Sequence, residues 1–506
     1  MPGFPGRFTR FSRFSRLGHR RPGARALSPA RRRLAAAGGS LAVTGVLMTS
    51  ALVTSATAAS AASAAVPPGY WVSTAGTSTA ADTSCPTAAY NSVQQAVSAA
   101  ETYEAGHAHV VPVIDICPGT YAEQVTISGS LVLTRAPVPA RLGGVTIELP
   151  ASVGSDPGAG LSTTNCQYGD VAQGIVPAPQ SVLEICAAGP DGVNTAGVNV
   201  TARDLTVSGN WPPDVCNDSL YGILVGGGAT LSLSDSTVEH VGANALTSAG
   251  GCQGGVAVQV GFAPTSQIGR AYLSDDTVRT YQKNGITVDG AGSYADIDHV
   301  VVAGSGPTPY TAQNGIQVSY GATGSVTRSS ITGNNYTGPN YASAAGILVY
   351  GGGGSVCGLG ANSPLVTRAS FTGNTLTGND VGIGMYNLNS ACTGAASTPT
   401  RDTACANVIR NGNGYPGGQA STDANVAGWS TSPEVGYQAG VADFGNVDVI
   451  CDNAISGAGY APRDATSTLP SPPPPAFVRP VDVVSGPAAG SLSYGNTFDG
   501  LPYSPG

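Results

Sequence analysis

Six ionisable residues recur at one position of a sequence repeat and could form a stripe of charge on a single face. Each lies two residues beyond an apolar residue of its repeat, and the set is Asp235, Asp275, His299, Arg328, Arg368 and Asp452. A carboxylate at Asp275 could orient His299 as a general base, while Arg328 could hold an acidic group of a substrate. Charge pairing between neighbouring repeats explains the same residues without any chemistry. Both interpretations stay open.

Lys283 is the only lysine of the chain and lies in the string YQKNG. Its amine could take a proton from an acidic sugar while Arg270 or Arg279 stabilises the charge that develops. The alternative is a solvated turn residue, because Gln313 takes the corresponding place one repeat later. The candidate catalytic set is therefore Asp275, Lys283, His299 and Arg328.

Tyrosines cluster in the same part of the chain, where their rings could stack on sugars. Packing within loops is the competing interpretation. The candidate substrate-binding residues are Tyr281, Tyr310, Tyr336 and Tyr341.

Acidic side chains also raise the question of a metal. Asp275, Asp276, Asp296 and Asp298 could offer oxygen atoms to Ca²⁺. However, no loop has the regular spacing of calcium ligands, and no cysteine–histidine cluster has zinc spacing. We expect no cofactor and no metal site, with Ca²⁺ as the alternative.

A repeat of about thirty residues must position these side chains. A glycine followed by an aliphatic residue recurs every 30 to 36 residues between Gly222 and Gly382, as in GITV, GIQV and GILV. Short β-branched runs separated by Gly, Asn, Asp and Ser predict strands joined by sharp corners, and we expect the recurrent glycines to turn those corners. The pattern predicts an all-β solenoid of ten to twelve stacked coils.

An amphipathic segment precedes the first repeats. The string AYNSVQQAVSAA places Val93, Ala96, Val97 and Ala100 on one helical face, and Asn91 or Ser92 can cap it. Such a helix would cover the open edge at the start of the solenoid.

Composition excludes several classes of protein. The 506 residues include 71 glycines, and charged residues make up 10%. Ten arginines lie in the first 33 residues; beyond them 12 basic and 30 acidic residues remain, a net charge of −18. This balance argues against nucleic acid and anionic membranes as partners.

The N-terminal segment has the basic, apolar and small-residue regions of an export signal. We expect residues 1–65 to be the leader, 66–465 the solenoid domain, and 466–506 a proline-rich segment with a C-terminal strand or cap. The expected destination is extracellular, with the general secretory route favoured over twin-arginine export. The expected mature form is a monomer.

Ten cysteines follow the leader, an even number that predicts disulfides in an exported chain. The local pairs we expect are Cys85–Cys117, Cys166–Cys186 and Cys392–Cys405.

The string VPVIDICPGTYAEQVTI, with its P-G-T-Y-x-E-x-V pattern after a short helix, resembles the opening of pectin-lyase-like proteins, including pectin methylesterases. The later G-I-x-V and V-x-x-x-x-I-x-G-N repeats are similar to those of bacterial right-handed β-helix proteins. The resemblance covers roughly residues 85–460 and implies a right-handed parallel β-helix with an N-terminal capping helix. Of the pectin methylesterase motifs only the start is present, as Gly119, Tyr121 and Glu123. Strings typical of polygalacturonases, pectate lyases and alginate epimerases are absent or incomplete.

The fold is compatible with many activities, so function must come from the site. The first hypothesis is a secreted protein that binds or modifies extracellular polysaccharide, as a lyase or hydrolase of acidic polymers. The alternative is a non-catalytic structural or adhesive β-helix. The sequence leaves the enzyme question open.

Overall fold

The computed structural model describes most of the chain after residue 68. The described residues are 69–76, 82–107, 110–150, 180–187, 197–210, 220–251, 254–337, 344–353, 363–390, 395–411, 438–460, 478–483 and 490–503. They contain one α-helix, α1 (Val93–Gly106), and short 3₁₀ helices at Cys85–Thr87, Ala140–Leu142, Ser248–Gly251, Ala263–Thr265 and Ala458–Tyr460.

Strands make up nearly all the remaining regular structure. The first seventeen are β1 (Tyr70–Val72), β2 (Val113–Ile116), β3 (Gly119–Ala122), β4 (Val125–Ile127), β5 (Leu131–Arg135), β6 (Val145–Glu148), β7 (Gln180–Cys186), β8 (Asn199–Arg203), β9 (Leu205–Ser208), β10 (Leu220–Gly226), β11 (Thr230–Ser234), β12 (Thr237–Val241), β13 (Val256–Val260), β14 (Arg270–Ser274), β15 (Thr277–Tyr281), β16 (Asn284–Asp289) and β17 (Tyr294–Asp298). The rest are β18 (Val301–Thr308), β19 (Asn314–Ser319), β20 (Thr323–Thr327), β21 (Ser330–Tyr336), β22 (Ala345–Gly352), β23 (Ser370–Thr372), β24 (Thr375–Thr377), β25 (Val381–Leu388), β26 (Thr403–Cys405), β27 (Val408–Arg410), β28 (Gln438–Asp443), β29 (Val449–Cys451), β30 (Ala454–Ser456), β31 (Val478–Val483), β32 (Leu492–Tyr494), β33 (Thr497–Phe498) and β34 (Leu501–Pro502).

These strands form three long sheets that run along the molecule. Sheet A has the order β1-β2-β5-β8-β11-β14-β17-β20-β23-β26-β29-β32. Sheet B has the order β3-β6-β9-β12-β15-β18-β21-β24-β27-β30-β33-β34, and sheet C the order β31-β28-β25-β22-β19-β16-β13-β10-β7-β4. The pairings are parallel except for the terminal pair β33–β34. The chain is a right-handed parallel β-helix, which confirms the predicted fold class.

Inward side chains of successive coils stack into one continuous core. In sheet A, Leu233, Leu273 and Ile297 are register partners on β11, β14 and β17, and each is at most 1% exposed. Within each of these strands, the residues that alternate with the buried ones face outward. A strand with this pattern therefore offers two or three side chains to the surface.

The recurrent glycines have a different role from the predicted one. Gly285, Gly315 and Gly346 lie inside sheet C strands and lack the positive φ of a left-handed corner. A Cβ at Gly285 would lie 2.5 Å from the carbonyl oxygen of Gly315, and one at Gly315 would lie 2.6 Å from that of Gly346. The prediction that these three glycines turn corners was wrong: glycine is needed there because neighbouring backbones approach closely. The prediction is confirmed for Gly255, which has a φ of 80° directly before β13.

The corner between sheets A and B is turned mainly by charged and polar residues. Asp235, Asp275, His299 and Arg328 have φ angles of 51°, 58°, 55° and 49° and lie on four successive coils, so the predicted column is confirmed for these positions. Arg368 breaks the register, because it lies at the corner leading into sheet A, and Gly373 takes the expected place.

An asparagine ladder lies inside the same corner towards the C-terminus. The backbone N–H of Asn374 donates to Asn407 Oδ1 at 2.9 Å, that of Asn407 donates to Asn453 Oδ1 at 3.0 Å, and that of Asn453 donates to Asn496 Oδ1 at 3.1 Å. Each side chain therefore satisfies a buried backbone donor of the preceding coil.

Aspartates form a second ladder, inside the corner between sheets C and A. The Ala369 amide donates to Asp402 Oδ1 at 2.9 Å, and the Asp402 amide donates to Asp448 Oδ1 at 2.8 Å. Asp443 takes the inward register position of Met385, so a third carboxyl group enters this part of the core. All three aspartates are 0% exposed.

The N-terminal helix matches its prediction. Its buried residues are Val93, Ala96, Val97 and Ala100, and the Ser92 hydroxyl accepts a hydrogen bond from the Gln95 amide. The carboxylate of Glu123 accepts from the Val93 amide at 2.7 Å and the Gln94 amide at 3.0 Å. The glutamate of the P-G-T-Y-x-E string thus caps the helix.

Disulfides agree only in part with the predicted pairs. Cys85 pairs with Cys117 as expected. Cys405 pairs with Cys451 on the neighbouring coil, so the pair with Cys392 was wrong. Cys166 and Cys392 lie outside the described residues, as does the predicted leader. In the described part of the chain, no helix has the length and apolarity needed to cross a membrane.

Candidate functional site

The outward face of sheet A carries an open depression of about 270 Å³ in the middle of the solenoid. It spans β8, β11, β14 and β17, whose outward side chains lie side by side because the strands are in register. The lining residues are Thr201, Ser232, Ser234, Tyr272, Leu273, Ser274, Asp296 and Asp298. The lining of the depression therefore combines hydroxyl groups, one large aromatic ring and two carboxyl groups.

Two tyrosines form the aromatic part of this face. Tyr272 is 47% exposed, and its ring centroid lies 6.3 Å from that of Tyr294, with 62° between the planes. Burial raises the pKa of Tyr294, and the nearby Asp296 adds to the effect. The hydroxyl of Tyr294 is therefore neutral at physiological pH, and the pair offers an apolar surface with polar edges.

Asp298 is the centre of a small charged network at the edge of the depression. It accepts a hydrogen bond from the Arg328 guanidinium, and its Oδ1 accepts one from Thr327 Oγ1 at 2.7 Å. The Asp298 Oδ2 atom lies 3.1 Å from His299 Nδ1. Arg328 first, and then Thr327, hold the pKa of Asp298 well below its usual range. Asp298 is therefore ionised at physiological pH.

The predicted pairing of Asp275 with His299 is not observed. Asp275 lies one coil before His299 and its backbone amide donates to the Asp298 carbonyl at 3.3 Å. In the described residues, the carboxylate that contacts the imidazole belongs to Asp298 instead. The reason is geometric: the side chain of Asp298 points outward from the strand directly before His299.

Lys283 does not join this group. It lies between β15 and β16, at the corner that joins sheets B and C, whereas His299 and Arg328 lie at the corner that joins sheets A and B. Its amine donates to the carbonyl of Ala312. Burial lowers the pKa of the amine to about 8. The fold therefore separates Lys283 from the other three candidates.

Two of the four candidate tyrosines are buried and unsuited to stacking on a sugar. Tyr281 is 0% exposed and its hydroxyl donates to Asn334 Oδ1 at 2.6 Å; Tyr336 is 2% exposed. Both assignments to the binding set were therefore wrong. Tyr310 is 40% exposed, in the segment after β18, and Tyr341 lies outside the described residues.

The four aspartates considered for Ca²⁺ do not converge on one point. Asp276 turns inward, is 1% exposed, and accepts a hydrogen bond from the Ser236 amide at 2.9 Å. Asp296 and Asp298 face outward on β17. Among the described residues, no cluster of three or more His, Cys, Asp or Glu has an arrangement that could hold a metal ion.

The sequence interpretation missed Tyr272 and Tyr294, and it considered Asp298 only as a ligand of Ca²⁺. Their signal was alternation: in RAYLS and YADID the residues between Ala, Leu and Ile must face outward together. Aligning the two strings by these apolar residues would have placed Tyr272 beside Asp296.

Comparisons with known proteins come from structure alone. No family model matches the chain, and no curated protein matches it.

Several solved structures do match. The Dettilon tailspike protein has a TM-score of 0.39 and 13% identity, over 81% of this chain and 62% of its own, so the chain spans less than two thirds of the tailspike. The pectate lyase Pel9A has a TM-score of 0.35 and 14% identity, over 86% and 81%. A pectin methylesterase from Aspergillus niger has a TM-score of 0.29 and 13% identity, over 68% and 86%. These neighbours are pectin-lyase-like parallel β-helix proteins, the group that the sequence pattern resembles.

Proposed function

We propose that this protein is an exported β-helix that binds extracellular polysaccharide on the outward face of sheet A. The observation that carries the proposal is the exposed Tyr272, which packs against Tyr294 beside the outward carboxylate of Asp296. In this proposal residues 1–65 are the export leader, 66–465 the β-helix, and 466–506 the C-terminal segment. The mature form is an extracellular monomer.

The chemistry of the depression suits sugar rings. A pyranose presents C–H groups on its faces and hydroxyl groups around its edge. Tyr272 offers a ring for the former, while Ser232, Ser234 and Ser274 offer hydroxyl groups for the latter. All four side chains project from stacked strands, so little conformational entropy is lost when a ligand binds.

The ionisation of Asp298 favours binding over glycoside hydrolysis at this face. A glycosidase needs one carboxyl group whose pKa is raised so that it can protonate the leaving group. The pKa of Asp298 is shifted in the opposite direction by Arg328. Asp298 is therefore suited to holding its neighbours in place or accepting hydrogen bonds.

A second candidate function rests on the contact between Asp298 and His299. The imidazole is 51% exposed and its Nδ1 faces the Asp298 carboxylate at 3.1 Å, an arrangement that suits a general base. In that role His299 would remove a proton from an acidic sugar, with Arg328 holding the carboxylate of the substrate. This keeps His299 and Arg328 as candidate catalytic residues and replaces Asp275 with Asp298.

Affinity electrophoresis of the mature protein through gels containing different polysaccharides tests the binding function. Tyr272→Ala is expected to lower the affinity for the retained polymer about tenfold, because the ring supplies the main apolar contact. Tyr494→Ala is the matched control, since Tyr494 is 54% exposed on β32 of the same sheet but does not line the depression. Equal retardation of the Tyr272→Ala variant and the parent protein would contradict the proposal.

An activity assay on the same polymers separates the two functions. Reducing ends and the ultraviolet absorbance of unsaturated products are measured with and without Ca²⁺, for the parent and for His299→Ala. Turnover that disappears in the variant supports the general base, whereas retention of the polymer without turnover supports binding alone.

A further inference from the structure

The charges in the depression point to a cationic ligand rather than an acidic one. We infer that the face binds a polysaccharide bearing protonated amines, an amino-sugar polymer, with Asp296 and Tyr272 as the groups that recognise the ammonium. This inference rests on the proposed polysaccharide binding and narrows its substrate class. It departs from the acidic polymers expected from the sequence resemblance.

Within the described part of the chain, Asp296 forms no ion pair, whereas Asp298 on the same strand is paired with Arg328. The charge of Asp296 acts on Arg328 only at longer range, where it adds to the rise in the pKa of the guanidinium. The only charged side chains that line the depression are these two aspartates. After Arg328 neutralises one of them, a negative charge remains on Asp296 for a ligand to meet.

Tyr272 places an aromatic ring beside this unpaired charge. The two residues are register partners on β14 and β17 and both face outward, so their side chains start about 4.8 Å apart. An ammonium between them would contact the electron-rich ring and the carboxylate together, and the two attractions reinforce each other. Neutral sugars would use the ring and hydroxyl groups but gain nothing from Asp296.

A uronate would meet repulsion at the same place. The cations at adjoining register positions are Arg203, Arg270 and Arg328, and none of them lines the depression. Arg203 lies beside Ser234 and donates to Thr134 Oγ1 at 3.1 Å. Arg328 is tied to Asp298, and Arg270 lies outside the lining of the depression, two residues before Tyr272. The chain after the leader has a net charge of −18, which adds a long-range penalty for a polyanion.

Calorimetric titration with three polymers of matched length tests the inference. The probes are chitosan, its N-acetylated counterpart and polygalacturonate, at a mildly acidic pH where the chitosan amines are protonated. We expect the order of affinity to be chitosan, then the acetylated polymer, then polygalacturonate. Added salt should weaken only the binding of chitosan, since the acetylated polymer lacks the charge.

Asp296→Asn isolates the recognising charge. It is expected to lower the affinity for chitosan about tenfold and to leave the affinity for the acetylated polymer unchanged. Asp235→Asn is the matched control, because Asp235 is an exposed acid of the neighbouring corner that does not line the depression.

The outcomes separate this inference from the function on which it rests. If the acetylated polymer binds as tightly as chitosan, or if Asp296→Asn binds chitosan normally, the amine preference is wrong while glycan binding stands. If none of the three polymers binds, or if Tyr272→Ala binds them all as well as the parent, polysaccharide binding on sheet A is wrong as well.

Discussion

Aspartates behave in opposite ways on the outward face of sheet A and inside the C-terminal coils. On the face, Arg328 and Thr327 hold the pKa of Asp298 well below its usual range. In the interior, burial raises the pKa of Asp402 to about 7 and that of Asp448 to about 9. The same side chain is therefore a charged group on the surface and a neutral hydrogen-bonding group in the core.

The interior carboxyl groups are close together and have no cation. In the described residues no ion pair involves Asp402, Asp443 or Asp448, and each lies near the negative charge of another. Burial also raises the pKa of Asp443. A protonated carboxyl group avoids both the desolvation of a charge and the repulsion between neighbours. Ionisation of these aspartates should therefore oppose folding.

The disulfide joins the same two coils as this ladder. Cys405 follows Asp402 on β26, and Cys451 follows Asp448 on β29, so the covalent bond and the aspartate contact run side by side.

The largest effect we expect is a loss of stability as the pH rises. Below a pH of about 4, the ladder carboxyls are protonated in both states; above it, the unfolded chain releases protons that the folded chain retains up to pH 7 or 9. Each further pH unit in that window favours unfolding, and we expect the free energy of unfolding to fall by at least about 3 kcal/mol between about pH 4 and pH 8. Asp298 acts in the opposite direction, but only below about pH 4.

Urea denaturation of the protein at a series of pH values measures this dependence. Disulfides stay oxidised throughout, so that only protonation changes. A free energy of unfolding that is constant or rises over this range would show that the interior aspartates are ionised in the folded state, and the contrast with Asp298 would disappear.

An intermediate effect is expected from Asp448→Asn. The amide oxygen can still accept hydrogen bonds from the Asp402 amide and from Thr400 Oγ1, but the group no longer ionises. We expect a gain of about 2 kcal/mol at pH 8, little change at pH 4, and a flatter pH profile.

Asp298→Asn is the matched comparison on the face. It removes a carboxylate that is ionised at both pH values, so the stability difference between the parent and this variant should be similar at pH 4 and pH 8. Equal pH profiles for Asp448→Asn and the parent would assign the pH dependence to other residues.

Much of the fold follows from local periodicity. The spacing of GITV, GIQV and GILV predicts stacked strands because inward β-branched residues must recur once per coil, and the apolar positions of the first helix follow the same logic. The role of glycine does not follow, because the composition alone cannot distinguish a left-handed corner from a close approach of two backbones. The register of Arg368 fails because an irregular segment before β23 shifts the phase of the repeat.

The candidate site was less accessible to sequence reasoning. A column at one corner was predicted for Asp275, His299 and Arg328. The carboxylate that contacts both His299 and Arg328 is instead that of Asp298. Asp298 lies on the strand, and its contacts depend on the direction in which its side chain points. Lys283 was included for its rarity, but rarity does not indicate which corner of the coil a residue occupies. The strand register decides which residues of different repeats lie side by side. If one repeat is misaligned in the sequence, its side chains are assigned to the wrong corner of the coil.

The smallest effect we expect sharpens the comparison on the face itself. Arg328→Gln removes the main cause of the low pKa of Asp298, so that pKa should rise towards its ordinary value in an NMR titration. The melting temperature should change by no more than about 2 °C, because the ion pair is exposed. With a second unpaired carboxylate in the depression, the affinity for chitosan should rise about twofold to threefold.

Arg279→Gln is the matched control. Arg279 pairs with Glu239 at 2.6 Å on sheet B, away from the depression, so its loss should leave chitosan binding unchanged. A lower affinity in Arg328→Gln would mean that the arginine itself contacts the polymer, and an equal gain in both variants would mean that net charge, rather than the carboxylates of this face, governs binding.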